Sequence, residues 1–283
     1  PYSGENLCVY LSNGQYYSRG EIQKGLREGK WEYWYENGQK KEERKYTKGR
    51  ERGEGGSYIT RYENGQKMME FTYNKNGGLV KSEYWYENGQ KREEQNYKDD
   101  ELDGMQISWN KSGQVSSEEN YKDRKLIGET KYQYFLNGQK ISEKNYIDGV
   151  FDGINSFWYE NGQKSTEVNY INGKREGIRT EWYENGQIKE VKNYKDGKKD
   201  GKETWRYENG QIKSVQTYKD GKLDGKWTVW DENGQINSEK IYKDGELVSE
   251  INYKAKREAE AERELAEEKA REAERIAQQL AWE

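Results

Sequence analysis

The sequence predicts an all-β repeat protein: an elongated, single-layer antiparallel sheet of about ten stacked 24-residue β-hairpins over residues 1–253, followed by a charged α-helix over residues 254–283. Three observations predict it. Asn-Gly-Gln recurs at Asn13, Asn37, Asn64, Asn88, Asn137, Asn161, Asn185, Asn209 and Asn233, and Ser112-Gly113-Gln114 fills the one gap. The ten starts lie 24, 27, 24, 24, 25, 24, 24, 24 and 24 residues apart. From about Lys254 onward the chain has no Gly and no Pro. A fixed period of this length is the signature of a repeat array, in which each unit buries its apolar face only against its neighbours.

Each unit reads as two strands and two turns. In Gly225 to Gly245, GKWTVWDENGQINSEKIYKDG, the spacing predicts strands over Trp227–Glu232 and Gln235–Tyr242. The Asn-Gly pair between them is expected to form a type I′ turn, with both central residues at positive φ. Lys243-Asp244-Gly245 marks the second turn. A tyrosine stands nine residues after almost every first turn: Tyr46, Tyr73, Tyr97, Tyr121, Tyr146, Tyr170, Tyr194, Tyr218 and Tyr242. An aromatic stands three residues before most of them: Tyr10, Trp34, Trp85, Trp109, Tyr134, Trp158, Trp182 and Trp230, with Arg61 and Arg206 breaking the row. Stacking the units turns these into continuous rows of rings, expected to pack each on the next. Glu43, Glu70, Glu94, Glu118, Glu143, Glu167 and Glu239 form a third row, expected on a solvated face among Lys and Arg. The irregular intervals predict a longer turn or bulges near residues 50–82 and 124–132.

The tail KAKREAEAERELAEEKAREAERIAQQLAWE is rich in strong helix formers. Ala255, Ala259, Ala266, Ala273, Ala277 and Leu280 make a thin apolar stripe, with Leu265 and Ile276 to one side and Trp282 near the end. Pairing with a partner or another copy and a solvated single helix are both consistent with that stripe.

Composition narrows the function. Mean hydropathy is -1.47, yet 25 Tyr, 10 Trp and 4 Phe argue against disorder. Lys and Arg number 49 against 53 Asp and Glu, so no net excess marks a nucleic-acid or membrane-surface binder. No run of about 18 apolar residues is present, so no transmembrane segment is expected. There is no His, which removes Ser-His-Asp and Cys-His catalysis. Cys8 is the single cysteine, so neither an internal disulfide nor a cysteine metal cluster fits. No phosphate loop or calcium loop is found, and neither an enzyme nor a cofactor is expected. Residue 1 is Pro rather than Met. A processed, exported chain and a fragment boundary both fit, and a soluble protein is the expectation.

The WYENGQK…YKDGKLDGKW pattern resembles the MORN-repeat variant family, whose bacterial members are commonly labelled YwqK-like antitoxins; the resemblance covers roughly residues 5–253. It implies stacked β-hairpins and binding rather than catalysis. It does not account for the tail. Choline-binding and glucan-binding cell-wall modules are a weaker likeness, since their repeats are nearer 20 residues and carry a Gly-Trp signature absent here.

The expected function is therefore a non-enzymatic scaffold that mediates protein–protein interaction or assembly through the repeat surface and a docking helix. Toxin neutralisation by binding and carbohydrate or cell-envelope binding through exposed rings are the alternatives. The candidate partner-binding residues are Trp34, Trp85, Trp109, Trp158, Trp182, Trp230, Leu265, Ile276, Leu280 and Trp282. The expected partner is another protein or a further copy of the chain, with carbohydrate as the alternative and no nucleic acid.

Overall fold

Two kinds of turn alternate along the chain, and they divide the work differently from the sequence expectation. The computed structural model describes residues 2–50 and 56–280, with Leu280 by its backbone alone. At Tyr35–Gln39, φ is positive at Gly38 and not at Asn37. The Gly38 amide donates to the Tyr35 carbonyl at 2.9 Å and the Tyr35 amide to the Gln39 carbonyl at 2.8 Å. This is a type I turn closed by a glycine bulge, not the expected type I′ turn, and the register slips between Tyr33 and Trp34 to accommodate it. The type I′ geometry belongs to the other turn. Asp196 and Gly197 have φ of 49° and 82°, and Lys195 pairs directly with Lys198 across them. Asp or Asn tolerates the left-handed first position and Gly the second, which explains the recurring Lys-Asp-Gly.

Among the described residues there are 24 strands in an open antiparallel sheet, followed by one C-terminal helix. The chain divides into two compact units: residues 1–133 with 143–151, and residues 134–142 with 152–283. In the first, β1 (Gly4–Val9), β2 (Tyr16–Gln23), β3 (Leu26–Trp34), β4 (Lys40–Tyr46), β5 (Ser57–Arg61), β6 (Lys67–Tyr73), β7 (Leu79–Trp85) and β8 (Lys91–Lys98) pair in chain order. A short β9 (Glu101–Leu102) and β10 (Gly104–Trp109) both lie against β8, and β11 (Val115–Lys122) and β12 (Lys125–Tyr134) follow. β13 (Lys140–Ile147) pairs with the short β14 (Val150–Phe151). The second unit runs β15 (Gly153–Trp158), β16 (Lys164–Ile171), β17 (Lys174–Trp182), β18 (Ile188–Lys195), β19 (Lys198–Arg206) and β20 (Ile212–Lys219). β21 (Lys222–Leu223) and β22 (Gly225–Trp230) lie against β20, then β23 (Ile236–Lys243) and β24 (Glu246–Asn252) complete it. The strands of the repeat at Gly225 have the expected lengths but lie further from the turn, the first starting and ending two residues earlier and the second one residue later, because Asp231–Gln235 is spent on the turn.

The irregular intervals resolve as follows. A five-residue turn replaces the two-residue one at Asn74–Gly78, with the Asn74 amide on the Gly78 carbonyl at 2.8 Å. In the interval between Ser112 and Asn137, β12 runs for ten residues and its register with β11 shifts between Gly128 and Leu126, within the expected stretch. The Gly53–Gly55 part of the expected insertion lies outside the described residues.

Strand alternation gives the sheet two chemically distinct faces. One face carries the Tyr46-type tyrosines and most of the buried side chains: Trp31, Tyr46, Val168 and Tyr194, but also Ser82, Asn155, Glu190 and Glu203. The expected ring-on-ring row is corrected at several positions. Arg27 lies over Tyr46 at 5.3 Å, Arg175 over Tyr194 at 5.4 Å and Lys199 over Tyr218 at 4.5 Å. Cations therefore interleave with the rings, each attracted to a ring face.

The helix α1 (Tyr253–Leu280) follows β24 without a loop. Asn252 caps it, its Oδ1 accepting the Ala255 amide at 2.9 Å. Contact with the sheet is limited to its first turns: Tyr253 donates to Glu239, and Arg257 donates to the Ile236 carbonyl at 2.8 Å and to Asn237 Oδ1 at 3.2 Å.

Candidate interaction surfaces

The Asn-Gly-Gln edge is built by a ladder that uses every residue of the motif. The Asn37 side chain works in both directions: its Oδ1 accepts the Gln39 amide at 2.9 Å, and its Nδ2 donates to the Glu63 carbonyl of the next repeat at 3.2 Å. Asn13, Asn64, Asn88, Asn137, Asn161, Asn185 and Asn209 do the same toward Glu36, Glu87, Lys111, Glu160, Glu184, Glu208 and Glu232. The glycine is needed twice, for its positive φ and because the preceding repeat's glutamine lies against it. A Cβ on Gly65 would sit 2.9 Å from Gln39 Oε1, and one on Gly89 2.9 Å from Gln66 Oε1.

A second rung comes from the tyrosine that opens the turn, which the sequence reading, apart from Tyr10, passed over. Tyr10, Tyr35, Tyr62, Tyr86, Tyr159, Tyr183 and Tyr207 each donate the phenol to a carbonyl of the following repeat, at 2.7–2.9 Å. Burial, with Glu63, Glu184, Glu208 and Glu232 nearby, pushes the phenols of Tyr35, Tyr159, Tyr183 and Tyr207 up and keeps them as donors. The signal was in the sequence, since Tyr-Glu-Asn-Gly-Gln recurs six times, at Tyr35, Tyr62, Tyr86, Tyr159, Tyr183 and Tyr207. On the opposite edge, the acid of a Phe-Asp-Gly, Arg-Glu-Gly or Lys-Asp-Gly run accepts the first turn amide of the next repeat. Asp152 takes Asn172 at 2.9 Å, Glu176 takes Asp196 at 2.8 Å, and Asp200 takes Asp220 at 3.2 Å.

The candidate tryptophans close their strands. Trp34, Trp85, Trp109, Trp158, Trp182 and Trp230 are the last residues of β3, β7, β10, β15, β17 and β22, and all are half-buried. Five of their carbonyls, all but that of Trp158, accept the tyrosine rung. The side chain three residues past the preceding Asn covers the indole: Tyr16 on Trp34 at 5.9 Å, Lys67 on Trp85 at 4.9 Å, Lys91 on Trp109 at 5.5 Å, Lys140 on Trp158 at 5.4 Å and Lys164 on Trp182 at 5.8 Å. The same lysines bind the glutamate row. Lys91 bridges Glu83 and Glu94 at 2.6 Å each, and Lys164 meets Glu167. The expected solvated glutamate face is thus a half-buried ion lattice. Burial pushes Glu43 up, but hydrogen bonds from Lys30 and Arg61 and the charge of Lys40 outweigh it and hold the carboxyl at about 2.

On the tail, Leu265 and Ile276 are 51% and 48% exposed, and every described side chain from Lys254 to Gln279 is exposed. The Leu280 side chain and Trp282 lie outside the described residues. β24 adds a further unclothed element, with Leu247, Val248 and Ile251 exposed. Cys8, the single cysteine, is exposed. Among the described residues no His, Cys, Asp and Glu cluster suits a metal, and no helix is long and apolar enough to cross a membrane.

Comparison with known proteins gives a family and no close relative. Among solved structures, the chain is similar to a Photorhabdus luminescens Tc holotoxin pore. Identity is 10%, with 89% of this chain and 16% of that one covered and a TM-score of 0.26. It is also similar to a TcdB2–TccC3–Cdc42 complex at 12% identity, covering 84% and 17%, with a TM-score of 0.21. The chain spans less than a fifth of either. No curated protein matches. The sequence model of the MORN repeat variant matches seven times, at residues 27–48, 80–99, 102–123, 151–172, 175–196, 199–220 and 223–244. With those matches falling on rungs of the same ladder and covering more than half of the chain, the chain belongs to the MORN repeat variant family.

Proposed function

We propose that the protein is a non-enzymatic scaffold whose repeats carry a C-terminal helix that docks on another protein or on a second copy of the chain. The observation that supports this most strongly is the helix itself. Among the described residues its side chains hydrogen-bond the sheet through Tyr253 and Arg257, and beyond them its side-chain hydrogen bonds and ion pairs stay within the helix, such as Arg263–Glu267 and Arg275–Glu272. Exposed pairs of this kind contribute only about 0.3–0.5 kcal/mol each. A long helix held so lightly, with Leu265 and Ile276 on its surface, is suited to burial against a partner. The half-buried tryptophan row offers a second, weaker contact, since its rings are already covered by lysines.

The test is recovery of the full chain from its native source under cross-linking, beside a Leu265→Glu/Ile276→Glu variant. The reading expects one stoichiometric protein, or a homo-oligomer, that the variant loses. A toxin as the captured protein would select the antitoxin alternative, and capture on wall glycans insensitive to the helix variant would select the carbohydrate one. A monomer that captures nothing would overturn the proposal.

A further inference from the structure

The ladder has a chemical consequence. The chain contains eleven Asn-Gly pairs: the nine of the repeat motif, Asn76-Gly77 and Asn172-Gly173. Asn-Gly is the dipeptide most prone to spontaneous loss of its amide, because glycine leaves the following backbone nitrogen free to approach the side chain. In eight of the eleven the amide is occupied. Asn13, Asn37, Asn64, Asn88, Asn137, Asn161, Asn185 and Asn209 hold the following repeat through Nδ2. All eight also accept a backbone amide on Oδ1.

Asn76, Asn172 and Asn233 differ. At Asn233 no Asn-Gly-Gln repeat follows to supply a carbonyl, and Asp231, standing where other repeats have tyrosine, takes over the cap: its Oδ1 accepts both Asn233 N at 3.0 Å and Gln235 N at 2.9 Å. Asn74 takes the same cap from Asn76, accepting Asn76 N and Gly78 N at 2.9 Å each. Asn172 sits at the first position of a type I′ turn, where only its backbone amide is bonded. The three side chains are exposed and carry no hydrogen bond. Local sequence does not explain the difference, since Glu232-Asn-Gly-Gln235 is identical to the tetrapeptides at Asn161, Asn185 and Asn209.

We propose that Asn76, Asn172 and Asn233 are the chain's sites of deamidation, and that the asparagine ladder protects the other eight. In the reaction the backbone nitrogen of the following glycine loses its proton and bonds to the asparagine Cγ, and the C–N bond of the side-chain amide breaks to release ammonia. Water then opens the resulting succinimide at either carbonyl, leaving aspartate or isoaspartate. Cγ cannot turn to that nitrogen while Oδ1 and Nδ2 are both held. Two ordinary hydrogen bonds correspond to roughly a 5–30-fold slower reaction. An aspartate formed within the ladder would also have no donor for the next carbonyl, so protection and repeat cohesion are one device.

The test is peptide mapping by mass spectrometry, with isoaspartate detection, of the full chain held at mildly alkaline pH in native buffer and in urea. In native buffer Asn76, Asn172 and Asn233 should convert first, at least fivefold faster than Asn161, Asn185 and Asn209; in urea the four identical tetrapeptides should react at one rate. Asp231→Tyr, which returns the Gln235 amide to Asn233, should slow Asn233 severalfold. Equal native rates, a preference for Asn233 that persists in urea, or an unaltered rate in the Asp231→Tyr variant would each overturn the proposal.

Discussion

The first repeats and the repeats around Asn185 solve the same packing problem with opposite chemistry. Six residues before the Asn of the turn stands Trp31 in one place and Glu203 in the other, 3% and 2% exposed. Around Trp31 the face is filled by rings. Tyr46 and Tyr33 lie 6.2 and 6.4 Å from it, Tyr17 lies 6.4 Å from Tyr33, and Arg27 lies 4.5 Å over the indole. Around Glu203 it is filled by ions. Arg179 and Lys192 hold Glu190 at 3.0 and 2.7 Å, Lys192 reaches on to Glu203 at 3.5 Å, and Lys199 holds Glu203 at 2.8 Å. Three cations face three carboxylates if Glu181, paired with Arg179, is included. The comparison teaches that this face need not be uniform. Each repeat must complement its immediate neighbours, while the turn ladders, common to both regions, set the register.

The largest effects are expected where complementarity is steric. Gly20 has an ordinary φ, but a Cβ there would fall inside the Trp31 indole. Gly20→Ala should destabilise the first unit about as much as Trp31→Ala, roughly 3 kcal/mol. The double variant should lose less than the sum of the two in urea melts, because the clash vanishes with the ring. In the ionic region, Glu203→Gln should cost about 2–3 kcal/mol, because Lys199, Lys192 and the Trp205 indole N–H all lose their anionic acceptor. Replacing Glu203 and Lys199 together by leucine and methionine should recover most of that loss, since buried ion pairs gain little over apolar filling. Failure of the pair to recover would mean that the ions set register as well as fill space.

Acid should separate Glu43 from Glu190 by sign. Glu43 is held at about 2, below its usual 4.5, so its contribution is present above 4.5 and is lost as pH falls from 4.5 toward 2. Burial and the neighbouring Glu203 push Glu190 the other way. Its contribution is present below 4.5 and is lost as pH rises through its raised value. Glu43→Gln should therefore flatten the acid limb of the stability profile, and Glu190→Gln should leave stability unchanged or raise it near neutrality. Melts between pH 2 and 8 would show both; a Glu190→Gln variant destabilised at pH 7 would contradict the second.

Much of this was legible in the sequence. The period, the two strands per repeat and the helix follow from Asn-Gly-Gln spacing and from the switch at Lys254. The turn types were not, because Asn-Gly suits both a type I′ turn and a glycine-bulged type I turn, and only the pairing of Tyr35 with Gln39 decides. The ionic filling was hidden for a related reason. Glu190, Lys192 and Glu203 stand outside the glutamate row, and their burial depends on neighbours about 12 or more residues away in sequence, such as Arg179 for Lys192 and Trp205 for Glu190. The tryptophan row was legible as a row but not as covered, since the cover comes from the lysine of the preceding repeat.

The smallest effect is also the most direct test of the claim that one ladder serves both regions. Tyr62 donates to the Trp85 carbonyl at 2.8 Å in the ring-filled unit, and Tyr183 donates to the Arg206 carbonyl at 2.7 Å in the ion-filled one. Chemical denaturation of Tyr62→Phe and Tyr183→Phe should show equal losses of about 1 kcal/mol each. A loss confined to one unit, or none in either, would contradict a common ladder.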